Sequence, residues 1–115
     1  MRLRRASVAV LGAFTLLLAV PSSASAATGL FEYSYVGLDG RTHHRTLLDP
    51  DSGECITIAE AADPNSQQPA HSPHNRTTAT ATVFTEPDCS GDYFTLRILT
   101  GRGGERLKFR SVVFS

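Results

Sequence analysis

Between residues 78 and 99 the chain reads TATATVFTEPDCSGDYFTLRIL, and this stretch restricts the fold more than any other. Up to Phe84 alternate residues sort onto two sides. Ala79, Ala81 and Val83 share one; Thr78, Thr80, Thr82 and Phe84 share the other. A period of two marks a β-strand, whose successive side chains point to opposite faces. Threonine and valine are β-branched and sit well on a pleated surface. Glu86-Pro87-Asp88-Cys89-Ser90-Gly91-Asp92 is then rich in turn formers. From Tyr93 the alternation resumes, with Phe94, Leu96 and Ile98 on one face. An antiparallel hairpin with a long, shaped connection is expected, and that connection holds one of the only two cysteines.

The start of the chain reads as a targeting segment over residues 1–26. Arg2, Arg4 and Arg5 give a positive beginning, residues 8–20 are an apolar run, and Pro21 breaks it. Ala24-Ser25-Ala26 has the small-x-small pattern of a signal peptidase site. The apolar run falls short of the ~20 residues that span a bilayer. General secretion is therefore expected, with no membrane attachment after cleavage. The mature chain, residues 27–115, suits one small domain. It keeps eight of the eleven basic residues and all eleven acidic ones, a formal charge of −3. That balance argues against nucleic acid as the partner. Two cysteines, Cys55 and Cys89, in a secreted chain suggest one disulfide.

In chain order, residues 28–36 (TGLFEYSYV) are an aromatic-rich strand and residues 37–40 a turn. Residues 41–48 are a second strand, 49–53 a strong turn and 55–59 a short strand. Residues 60–76 (EAADPNSQQPAHSPHNR) carry three prolines and no large apolar residue, which predicts a long surface loop. Residues 106–115 are a last strand, bent near Ser111 where the apolar alternation changes phase. A single helical turn is expected near residues 59–62. Six short strands with frequent turns predict an all-β sandwich or small barrel. Its core is expected to comprise Phe31, Tyr33, Leu48, Ile56, Ile58, Val83, Phe94, Leu96, Leu107, Val112 and Phe114.

The mature chain also echoes itself. Tyr33 and Gly40 have the same spacing as Phe84 and Gly91, about 45 residues apart along the chain, and Ser111-Val112 and Cys55-Ile56 follow at corresponding places. This resembles the βγ-crystallin Greek-key motif, in which an aromatic residue and a glycine shape the first hairpin because the glycine takes a left-handed backbone. A later Ser-Val or Ser-Ile step starts the closing strand. The chain is also similar to small secreted proteins of actinobacteria in its blocks at residues 49–55, 82–97 and 106–114. The resemblance implies a double Greek key and, by analogy with bacterial crystallin-like inhibitors of metalloproteinases, an inhibitory role. The family's calcium sites do not carry over. Before Ser111 stand Arg106, Leu107 and Arg110, and before Cys55 only Asp51 fits, whereas a hard cation wants six or more oxygens.

His71 and His74, with the adjacent His43 and His44, have the chemistry of zinc or copper ligands. Neighbouring strand residues point apart, however, so His43 and His44 cannot both join. These side chains read as solvated loop histidines, and no metal or cofactor is expected. Asn75-Arg76-Thr77 matches a glycosylation sequon, which carries no meaning in a bacterial source. Arg106, Lys108 and Arg110 would line one face of the last strand, either guarding an edge or meeting an anionic polymer. The sequence contains no Gly-x-Ser-x-Gly or His-Glu-x-x-His motif, and a non-enzymatic protein is expected. The leading expectation is a monomeric secreted binding or inhibitory module that meets an extracellular protein, with a protease as one target. Its candidate contact is the loop over residues 63–76, including Asp63, Asn65, His71, His74 and Arg76. The alternative is a structural protein held to a cell-envelope polymer by Arg106, Lys108 and Arg110. A small hydrolase stands third.

Overall fold

The computed structural model describes residues 26–115, so the expected leader lies outside the described residues except for Ala26. Seven strands form: β1 (Gly29–Val36), β2 (Thr42–Leu48), β3 (Cys55–Thr57), β4 (His71–Thr77), β5 (Ala81–Glu86), β6 (Ser90–Leu96) and β7 (Ser111–Phe114). Every pairing between them is antiparallel. The helical turn expected near residue 60 is a 3₁₀ turn at Ala59–Ala61, and a second spans Pro87–Cys89.

The strands lie in two sheets, in the orders β2-β1-β4 and β3-β7-β5-β6. β3 stands between β2 and β4 in the chain, yet it pairs in the other sheet, with Ile56 opposite Val112. The segment after β6 makes the reverse exchange and runs beside β4. Asn75 N donates to Gly101 O at 2.7 Å, and Gly103 N donates to Pro73 O at 2.9 Å. Each half of the chain thus lends its third segment to the sheet of the other half. Gly40 and Gly91, the two glycines of the internal echo, both take left-handed backbone, with φ of +80° and +85°. An L side chain at either place would be strained.

The core lies between the sheets. Phe31 is fully buried at its centre, edge-on to Phe114 at 5.3 Å and to Phe109 at 6.1 Å. Tyr33, Ile58, Val83, Leu96 and Val112 close around them as expected, with Ile56 and Leu107 packed at the margin. Leu48 and Phe94, expected in the core, are 69% and 53% exposed. Leu48 pairs opposite Leu30 on the outer face of β2, leaving Leu47, opposite Phe31, to pack on the core. Phe94 lies on the inner face of the edge strand β6, opposite Val83, where it overhangs the end of the core. Phe109, not expected in the core, is completely buried.

Two segments depart from the sequence reading. The loop expected over residues 60–76 ends at residue 70, because residues from His71 onward pair with β1 as β4. Pro73, Asn75 and Thr77 face inward, and His71, beyond the bulge and opposite Ser34, is buried too, so the period of two is present but carried by polar side chains and a proline. A bulge between the partners of Glu32 and Ser34, with Ser72 at φ +54°, admits Pro73 to the strand. The last strand, expected from residue 106, begins only at Ser111. Phe109 instead exchanges both backbone hydrogen bonds with Ala70, each at 2.9 Å. Arg106, Lys108 and Arg110 therefore do not line a strand face. Cys55 and Cys89 form the expected disulfide, tying β3 to the turn before β6.

Candidate functional site

Two surfaces gather the side chains that the sequence singled out. The first is the loop at residues 62–69, most of it exposed. Asp63 organises it as an Asx turn. Its carboxylate accepts from Asn65 N at 2.9 Å and Ser66 Oγ at 2.8 Å, and its carbonyl accepts from Gln67 N at 2.8 Å. These donors, Asn65 N–H foremost, hold the Asp63 carboxyl below the usual carboxylate range. The Gln67 side chain closes the turn from within, taking Asp63 N and donating to Ala59 O. Arg110 then fastens both ends. Its Nη1 donates to Ala61 O and to Gln67 O, each at 2.9 Å. Arg110 is thus committed inward, a positioning residue for the loop rather than part of a basic face.

The second surface is a polar groove of about 350 Å³ on the outer face of the first sheet. The alternation of FEYSY sends Phe31 and Tyr33 inward and leaves Glu32 and Ser34 outward. Pairing then brings His44 from β2 and His71 from β4 opposite Ser34, and His74 opposite Glu32. Ser34 Oγ and His44 Nδ1 are hydrogen-bonded at 2.8 Å. Arg102, delivered by the segment that crosses from the other half, lies 3.2 Å from His74 Nδ1. Guanidinium has only donors, so this nitrogen accepts and the imidazole is neutral there. Burial, and then the Arg102 charge, push His74 below the ordinary imidazole range, while Glu32 pulls the other way. His71 is lowered too, first by burial and then by the Lys108 charge. Arg76 reaches the Glu32 carboxylate at 3.4 Å.

The structure therefore places His74 in this groove, with Arg76 reaching its Glu32 and His71 paired opposite its Ser34, and sets Asp63 and Asn65 apart on the loop. Arg106 is exposed outside both. Glu32, Ser34 and Arg102 were missed as site residues, and His44 was considered only as a metal ligand. The polar positions of FEYSY were a signal for the first two; only register could supply the others. His43 and His44 do point apart. His43 stacks on Tyr35 at 5.4 Å and pairs with Asp39 at 3.1 Å, bracing the β1–β2 turn. Asn75, the sequon residue, is fully buried.

Chemically, the groove offers hydrogen-bond donors with one carboxylate. Among the described residues no three His, Cys, Asp or Glu side chains are grouped to hold a metal ion. The Ser34–His44 pair has the first contact of an activated nucleophile, but that chemistry also needs a third group that orients the base. Among the described residues no hydrogen bond reaches His44 Nε2, and Ser34 is 7% exposed. No family model, curated protein or solved structure matches this chain.

Proposed function

We propose that this protein is a secreted, non-enzymatic binding module that meets an extracellular protein through the loop at residues 62–69, with a protease as the leading target class. The framework is read as a crystallin-like double Greek key. The exchange of third segments between the halves supports that reading, as do the left-handed Gly40 and Gly91. Secretion is supported by the leader-like start and is consistent with the disulfide.

One observation carries the functional reading: the loop is exposed, yet Arg110 clamps the carbonyls of Ala61 and Gln67 at its two ends. An ordered loop has less conformational entropy left to lose on binding, which is the physical basis of pre-organised recognition. Purified protein is to be incubated with a panel of secreted metallo- and serine proteases. Inhibition in the micromolar range that weakens in Asn65→Ala and Arg110→Ala is expected. No inhibition of any panel member sinks the inhibitory reading.

The groove favours a second reading. Arg102, His44 and His74 line it, and Lys108 acts on the adjoining His71, so its donors suit the anionic groups of a cell-envelope polymer. Pull-down on cell-wall material should then fall with salt and fail for an Arg102→Glu/Lys108→Glu variant. Retention by that variant would remove this reading and leave the loop reading untouched.

A further inference from the structure

Each of the two sheets has two edges, and three of the four are blunted, by polar and basic side chains, by cover or by shortness. β2 carries His43, His44 and Arg45 along its length. β4 contains Pro73 and is covered by residues 101–104. β3 is three residues long and stapled at Cys55. β6 is different. It runs for seven residues with no proline and no lysine, and Asp92 is its one charge. Such an edge is a ready template for another strand.

The direction of its free groups follows from its neighbour. Thr80 and Ser115 exchange backbone hydrogen bonds at 3.0 Å, and Arg110 N donates to Phe84 O, so the even residues of β5 turn their backbone groups toward β7. Ala81 and Val83 must then turn theirs toward β6, where they face Leu96 and Phe94. Tyr93 and Thr95 are left aiming N–H and C=O at the open edge. Beyond them Gly101 closes it, packed so tightly on Arg97 that an added Cβ would lie 2.5 Å from Arg97 N. An open groove of about 630 Å³ borders this edge, lined by Phe94, Thr95, Leu96 and Arg97 among others.

We infer that β6 pairs antiparallel with β6 of a second copy of this chain, about a two-fold axis at Phe94, in place of the monomer expected from the sequence. Tyr93 then lies opposite the partner copy's Thr95, and each such pair exchanges both backbone bonds. Phe94, now 53% exposed, meets its own copy. The charges agree with this orientation. Antiparallel pairing brings the Asp92 end of one strand beside the Arg97 end of the other, whereas parallel pairing would align Asp92 with Asp92. A two-fold axis makes the contact self-complementary and closed.

Sedimentation of the purified protein across the micromolar range tests the pairing, and cysteine cross-linking tests the register. A dimer is expected, with its dissociation constant raised about tenfold or more in Phe94→Lys, which sets two like charges face to face. In this register Phe94 is the only residue opposite itself, at the close spacing that a disulfide can bridge. Phe94→Cys should therefore cross-link faster than Tyr93→Cys or Thr95→Cys. Because cross-linking does not depend on the lysine variant folding, the two measurements stand separately. A monomer at high micromolar concentration overturns the inference, including one that captures an extended peptide instead. Equal cross-linking at all three positions overturns it as well.

Discussion

The side-chain oxygen of Asn75 accepts from both the backbone N–H of Thr77 at 3.1 Å and its hydroxyl at 2.8 Å, in a place where neither residue is exposed to solvent. The Asn75 amide nitrogen donates onward to Ala79 O at 2.8 Å and Arg97 O at 3.0 Å. One buried amide thus ties β4 to the turn before β5 and to the end of β6. Asn75→Ala leaves several of these groups unpaired in the core. A loss of about 3 kcal/mol is expected, since each orphaned buried group costs roughly 1–3 kcal/mol. The check is a lowered urea midpoint at unchanged slope.

The Cys55–Cys89 bridge closes a separation of 34 residues. The chain-entropy model sets its contribution at about 4 kcal/mol, as an upper figure. The double variant Cys55→Ala/Cys89→Ala should lose stability by up to that amount, read from the denaturant midpoint. For a domain whose whole stability is roughly 5–15 kcal/mol, this is a large share.

Arg110→Ala removes two charge-assisted bonds, to Ala61 O and Gln67 O. A cost of about 2 kcal/mol is expected, because hydrogen bonds to charged groups contribute roughly 1.5–3 kcal/mol. The loop should loosen before the core does. Amide exchange at residues 62–69 is expected to quicken while β1 stays protected. Unchanged loop exchange would show that Arg110 holds nothing there.

His71 and His74 are both held below the ordinary imidazole range, chiefly by burial. The charges of Lys108, Glu105 and His44 act on His71, and those of Arg102, Glu32 and Arg76 on His74. A depressed folded value means that the unfolded chain takes the proton first. Stability is therefore full above about pH 6.5, the unfolded histidine value, and falls as pH drops from there toward the folded values. Thermal midpoints at pH 7.5 and 5 should differ less in His71→Gln/His74→Gln than in the parent. Equal acid losses in both would assign the effect to other groups.

Much of the fold was legible in the residues themselves. The alternation in TATATVF and the aromatic spacing of FEYSY announced β5 and β1, and the cysteine pair announced the staple. β4 escaped because its buried positions are His71, Pro73, Asn75 and Thr77, whose side chains resemble a loop until a neighbouring strand pairs with them. The candidate site was half legible. Asp63, Asn65, His71, His74 and Arg76 stood out by type. Arg102 did not, because only the crossing of its segment beside β4 brings it to His74. Arg110 read as surface charge until the loop carbonyls appeared around it.

By itself the sequence determined the local geometry of this protein: strands of period two, left-handed turns at Gly40 and Gly91, and a covalent link between two known cysteines. These depend on neighbouring residues or on a count of two. Only the tertiary structure decided which strands lie at an edge and which face of each is covered, and hence that Leu48 and Phe94 are exposed while Phe109 is buried. Alternation says which side chains share a face. It does not say what covers that face, because the covering strand comes from far along the chain and its position is set by the packing of the whole.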